Sequence, residues 1–212
     1  MNAIRQLTII AGLAALLPLA TQAGENGTAY TQLGTNGLGL GYAASVSPNW
    51  ALRGQLNYLP KQKFSGDVGD FGSGSNLTVE VDWNSVMLVG DWYPLGEGFR
   101  VSAGALANNN KITVSGTGQV NGKTATVNAE AKMSDGITPY LGIGYGIKPK
   151  MDKGLGFNMD FGVMFQNPKS TLTATGAGVT QADVDAQNQK VQDAINNLKY
   201  FPLLSFGISY SF

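Results

Sequence analysis

Arg53, Asp91, Arg100 and Asp160 each interrupt a stretch whose alternate positions are apolar. Side chains alternate across a strand, so Arg53 shares a face with Gln55 and Asn57, opposite Trp50, Leu52, Leu56 and Tyr58. Asp91 lies opposite Leu88 and Trp92, and Asp160 opposite Phe157, Met159 and Phe161. Two guanidinium groups and two carboxylates on inward faces permit two chemistries. Paired with one another they form a salt-bridge plug, because charges in a low-dielectric interior are costly unless paired. Held partly free they make a gate or binding site for a zwitterion, with Arg100 or Arg53 taking its carboxylate and Asp91 or Asp160 its ammonium. Lys148 joins this set, and glycines such as Gly41, Gly142, Gly144 and Gly162 on the same inward faces leave room for water in the gate reading. Asp91 and Arg100 flank one short turn and face each other across that hairpin.

Other chemistries are excluded by composition. The chain of 212 residues has no cysteine and no histidine, which removes the usual zinc sites and every dyad or triad built on imidazole or thiolate. No other nucleophile stands beside a positioned base, so neither catalytic residues nor a metal or cofactor are expected and the chain reads as a non-enzyme. Fourteen basic residues balance 14 acidic ones and are scattered, which argues against nucleic acid as a partner.

The elements that position the charged residues follow from period. Residues 1–23 read as a signal peptide: a short basic start at Met1–Arg5, an apolar run from Leu7 to Leu19, and Thr21-Gln22-Ala23 before a cleavage point at Gly24. The run is shorter than the roughly 20 residues a spanning helix requires, and nothing after it approaches such a helix, so a membrane would be crossed by strands. The clearest strand is the last. Tyr200, Leu204, Phe206, Ile208, Tyr210 and Phe212 share one face, and Ser205, Gly207, Ser209 and Ser211 the other. An apolar face against a face of small polar residues suits lipid outside and a lumen inside. The same alternation recurs near residues 38–43, 50–58, 86–93, 99–105, 141–147 and 156–166, with Trp50, Trp92, Phe99 and Phe212 near strand ends where they would form an interfacial girdle.

Connections at 47–49, 94–98 and 148–154 are short, and those near 64–76, 115–136 and 170–198 are long. These six connections join seven strands; a bacterial barrel needs an even number, and Thr28–Leu33 before Gly34-Thr35-Asn36-Gly37 supplies the eighth. Of the long segments, 65–75 reads as a flexible loop and 111–133, with Asn121-Gly122 at its centre, as a hairpin rising above the membrane. Thr180-Gln181-Ala182-Asp183 reads as a capping box opening a helix whose Val184, Val191, Ile195 and Leu198 form one stripe. Such a helix either packs on its own loop or lies as a lid over the barrel mouth. The fold expected is therefore all-β: an eight-stranded antiparallel up-and-down transmembrane barrel over 24–212, with extracellular loops that include one short helix and with both mature termini periplasmic.

The strand and turn Val86–Gly96, the segment Met133-Ser134-Asp135-Gly136-Ile137-Thr138-Pro139-Tyr140-Leu141-Gly142-Ile143-Gly144, the segment Asn167-Pro168-Lys169-Ser170-Thr171-Leu172-Thr173, and the amide-rich helix running into Tyr200-Phe201-Pro202 resemble the CarO-type eight-stranded outer-membrane proteins, in the same order over most of the mature chain. The chain ends on Ser211-Phe212 where that family ends on tryptophan. The resemblance implies a monomeric barrel with a structured extracellular cap, in outer-membrane lipid and lipopolysaccharide, passing small amino acids slowly rather than through a wide pore. Tyr210 and Phe212 match the general assembly signal of outer-membrane barrels, which implies the barrel-assembly machinery as a partner. Two functions stay open: a narrow channel for small solutes such as amino acids, or a closed barrel that binds or stabilises the envelope through its extracellular loops. The interior of eight strands is just wide enough for side chains to fill it, which puts the plug before the gate.

Overall fold

The computed structural model describes residues 27–66, 76–96, 98–147 and 153–212. The expected signal peptide, the core of the loop near 65–75 and Lys148 lie outside these residues. Eleven antiparallel strands form one sheet. Eight of them close a barrel: β1 (Gly27–Gly34), β2 (Gly37–Ser47), β3 (Trp50–Gly66), β4 (Asn76–Trp92), β5 (Arg100–Asn108), β8 (Ile137–Tyr145), β9 (Gly154–Phe165) and β11 (Tyr200–Ser211). The first strand meets the last from Thr28↔Ser211 to Gly34↔Ser205, and β4 meets β5 from Ser85↔Asn108 to Trp92↔Val101, so no barrel strand is left with an open edge inside the ring.

The outer face carries large apolar side chains in the open: Leu40 is 65% exposed, Leu141 53%, Phe161 56% and Ile208 59%. A continuous belt of this kind suits hydrocarbon, not water. Aromatic pairs mark both borders. Trp50 stacks on Trp92 (6.3 Å between centroids) and Tyr210 meets Phe212 at the end with the short turns, while Phe165 meets Tyr200 edge-on at the opposite end. Among the described residues no helix is long and apolar enough to cross a membrane.

Beyond the Tyr200 end the wall continues on one side only. The barrel segments of β3 and β4 run on, and β6 (Lys111–Val120), β7 (Lys123–Lys132) and β10 (Lys169–Thr175) extend β5, β8 and β9 to make a five-stranded half-wall, β10-β7-β6-β4-β3. The hairpin expected over 111–133 is present, with Asn121 at φ 50° and Gly122 at φ 74°, the left-handed pair that a two-residue hairpin turn requires. Two features depart from the sequence reading. The long connections are largely sheet, since β3 and β4 are each 17 residues long, and the stretch taken as a loop from residue 170 begins with a strand paired to β7 from Lys169↔Lys132 to Thr175↔Thr126.

Helix α1 (Gln181–Asn196) lies on the inner face of this half-wall. Thr180 caps it by accepting from the Asp183 backbone N–H, and Asp183 returns a bond to the Thr180 backbone. Val184 and Val191 pack on Leu77, Val127, Ala129 and Leu172, and Ile195 and Leu198 pack with Trp83 and Met133 at the barrel mouth. The helix therefore sits on its own loop strands and reaches the mouth with its last turn. Its first turn is tied to the hairpin tip: Lys123 Nζ lies 2.7 Å from one Asp183 oxygen, and Asn121 donates to the other at 2.6 Å.

Those donors, Lys123 first, then the Thr180 backbone and Asn121, hold the Asp183 carboxyl well below the usual carboxylate range. A depressed folded value means that the tie contributes fully above the ordinary aspartate pKa, about 3.9, and is lost as pH falls through the folded value. Asp183→Asn is expected to speed amide exchange at the 119–124 tip at pH 7, and the difference from wild type should shrink on acidification through the folded value. Thr180→Ala should weaken the same helix by about 1 kcal/mol, read as loss of helical signal on heating.

Candidate functional site

Four of the seven inward residues singled out in the sequence form one buried ionic network, and two more, Gln55 and Asn57, lie in a second chain of bonds beside it. Arg53, Asp91 and Arg100 are fully buried and Asp160 is 2% exposed. β3 delivers Arg53, β4 Asp91, β5 Arg100 and β9 Asp160, and barrel curvature turns all four toward the axis. Arg53 Nε donates to Asp91 at 2.8 Å and its Nη1 to Asp160 at 2.9 Å; Nη2 reaches Asp91 at 3.2 Å and Asp160 at 3.1 Å. Each Arg53 nitrogen therefore has an acceptor. Arg100 Nη2 donates to Asp160 at 2.7 Å, and its Nε stands 3.8 Å from Asp91. Ser102 and Gln32, not among the candidate site residues, complete the carboxylates: Ser102 donates to Asp91 and Gln32 to Asp160, each at 2.5 Å. Their signal was their inward parity beside the charges.

A second chain of bonds climbs the β1–β4 side. Tyr30 donates to Gln55 (2.9 Å), Gln55 to Asn57 (2.6 Å), Asn57 and Asn36 to Ser85 (3.1 and 2.9 Å), and Trp83 Nε1 to Asn36 (2.9 Å). The opposite side is apolar. Nearer the mouth than the charges, Met87, Val89, Leu106, Tyr140, Met164 and Leu203 meet as one buried cluster. Above it Trp83 packs on Phe201, with ring centroids 5.6 Å apart, and on Met133. Below the charges Tyr30, Ala43 and Ile147 close together, and the Tyr93 hydroxyl donates to the Ile147 carbonyl.

Four of the inward glycines are covered by side chains. A Cβ at Gly41 would lie 2.3 Å from the Tyr30 ring, one at Gly162 2.5 Å from the Tyr140 ring, one at Gly142 2.2 Å from the Tyr140 hydroxyl, and one at Gly144 2.6 Å from Arg100 Nη2. They are small because large side chains lie across them. The room that the gate reading gives to these glycines is taken by neighbouring side chains, and the two arginines differ: Arg100 Nε and Nη1 lack a hydrogen-bond partner among the described residues, while every Arg53 nitrogen has one.

A closed antiparallel ring of eight strands, apolar outside and polar at its centre, is a membrane β-barrel of the bacterial outer-membrane type. Its fold is that of the CarO-type outer-membrane proteins. The chain is similar to the crystal structure of Acinetobacter baumannii CarO, with 25% identity and a TM-score of 0.56 over 86% of this chain and 96% of that one. It is also similar to A. baumannii CarO2, with 21% identity and a TM-score of 0.58 over 88% of this chain and 98% of that one. No family model and no curated protein matches the chain.

Proposed function

We propose that the protein is a closed outer-membrane barrel that works through its extracellular half-wall and helix, with both mature termini periplasmic and its lumen filled as a structural plug. One observation carries this reading: above the four mutually neutralising charges the lumen is occupied on one side by the apolar cluster of Met87, Val89, Leu106, Tyr140, Met164 and Leu203 and on the other by the bonded chain that climbs from Tyr30 through Gln55 and Asn57 to Ser85. A solute would have to displace both layers. Liposomes carrying the refolded chain are expected to swell in glycine, ornithine, glutamate and a sugar of similar size no faster than empty ones. Selective swelling in the amino acids would overturn the closed reading.

Arg100 favours a second reading, slow passage of small amino acids, because two of its buried donors are free to meet a carboxylate. In that case Arg100→Ala should abolish the selective swelling, whereas a swelling rate unchanged by the substitution would remove Arg100 from the path.

A further inference from the structure

The chain contains three Asn-Gly pairs, at 26–27, 36–37 and 121–122. Asparagine before glycine is prone to cyclise, because the glycine has no Cβ to hinder attack of its backbone nitrogen on the asparagine side chain. The structure separates the pairs. Asn26 lies outside the described residues. Asn36 is buried at the barrel mouth, its amide nitrogen donating to Ser85 and its oxygen accepting from Trp83, and Gly37 is paired with Gly34 across the β1–β2 hairpin. Asn121 and Gly122 are both exposed at the tip of the β6–β7 hairpin, outside the closing pair Val120↔Lys123. The Gly122 N–H therefore stands beyond the ladder and makes no hydrogen bond among the described residues. Nothing lies within 4 Å of the place a Cβ at Gly122 would take, so the tip has room to rearrange.

The Asn121 amide also holds the cap together. Its Nδ2 donates to Asp183 at 2.6 Å beside the Lys123 contact at 2.7 Å, and Asp183 in turn closes the capping box of helix α1 with Thr180. We propose that Asn121-Gly122 is a self-modifying deamidation site whose conversion releases the first turn of α1 from the hairpin tip. The Gly122 nitrogen attacks Asn121 Cγ; the new N–Cγ bond forms as the Cγ–Nδ2 bond breaks, and ammonia leaves with the proton given up by the Gly122 nitrogen. Water then opens the cyclic imide at one of its two carbonyls. The net reaction consumes one water, releases one ammonia and changes no oxidation state. Either product, aspartate or isoaspartate, removes the amide donor and adds a carboxylate at the tip. Two carboxylates at one site repel unless one of them binds a proton, and at neutral pH the exposed tip parts from Asp183 instead. Isoaspartate also routes the main chain through the former side chain, which lengthens a connection whose two-residue geometry sets the hairpin.

The test holds the folded chain in vesicles at mildly alkaline pH and body temperature and follows its peptides by mass spectrometry that resolves acid from amide. Asn121 should convert progressively while Asn36 keeps its amide. Equal conversion of the two, or no conversion at Asn121, would overturn the proposal. Amide exchange over 180–187 reads the consequence. It should be several-fold faster in aged wild type and in Asn121→Asp than in fresh wild type, and the difference should narrow as salt rises. Asn121→Asp combined with Asp183→Asn exchanges donor and acceptor across the contact and should restore most of the slow exchange. Asn121→Gly keeps a turn-forming pair but has no side chain to cyclise, so its exchange should not drift with age. Conversion of Asn121 with exchange over 180–187 unchanged would show that the amide does not hold the helix, and would overturn the release.

Discussion

Asp160→Ala is expected to destabilise the barrel by about 3–5 kcal/mol, the cost of breaking a buried ion pair by removing one partner. The expectation follows from what Asp160 holds. Its two oxygens receive Arg53, Arg100 and Gln32, so its loss leaves two buried guanidinium groups to share Asp91 alone. The check is the urea midpoint of the chain folded into vesicles, followed by the heat-modifiable gel shift. Removing a charge of each sign should be much milder: Asp160→Ala with Arg100→Leu leaves Arg53 and Asp91 as a neutral pair at 2.8 Å, and most of the lost stability should return. A double variant no more stable than Asp160→Ala would show that the carboxylate matters for something other than charge balance.

Gly144→Val should cost about 1–3 kcal/mol by overpacking, and it should act through Arg100. The three nearest atoms to a Cβ at this position are Arg100 Nη2 and Cζ and Asp160 Oδ1, at 2.6, 2.7 and 2.7 Å, all of them side-chain atoms. The added methyl groups must push the guanidinium off Asp160. A second substitution, Arg100→Ala, removes the obstruction, so the two costs should fall short of additive by 0.5 kcal/mol or more. Strict additivity would mean that valine at 144 is tolerated without moving Arg100. A comparable substitution at Gly104 offers no such rescue, because there the nearest atom is the Leu88 backbone carbonyl at 2.2 Å.

The barrel was legible in the sequence because lipid imposes one alternation on every wall strand, and the inward set of Arg53, Gln55, Asn57, Asp91, Arg100 and Asp160 could be read from parity. The half-wall was not, and β4 shows why. Below the mouth its apolar residues Val86 and Leu88 point outward; above it the apolar residues are Leu77, Val79 and Val81, on the opposite parity, and Thr78, Glu80 and Asp82 face out. The alternation inverts where lipid gives way to water outside and helix α1 covers the inside. Read with one phase, the upper segment looks like loop. The strand β10 was hidden for a related reason: Ser170, Leu172 and Ala174 against Thr171, Thr173 and Thr175 give little polarity contrast. The occupancy of the lumen was also beyond sequence, since a glycine beside a void and a glycine beneath a ring look the same until Tyr30 and Tyr140 are placed.

The pairing of β1 with β11 sets an order of events during biogenesis. The ring cannot shut until the 12-residue last strand, Tyr200–Ser211, finds Gly27–Gly34. The segment immediately before it carries β10 and the mostly polar helix α1. In the orientation proposed above, that segment reaches the far side of the membrane while the sheet is still an open ribbon, and closure by the last strand then prevents its return.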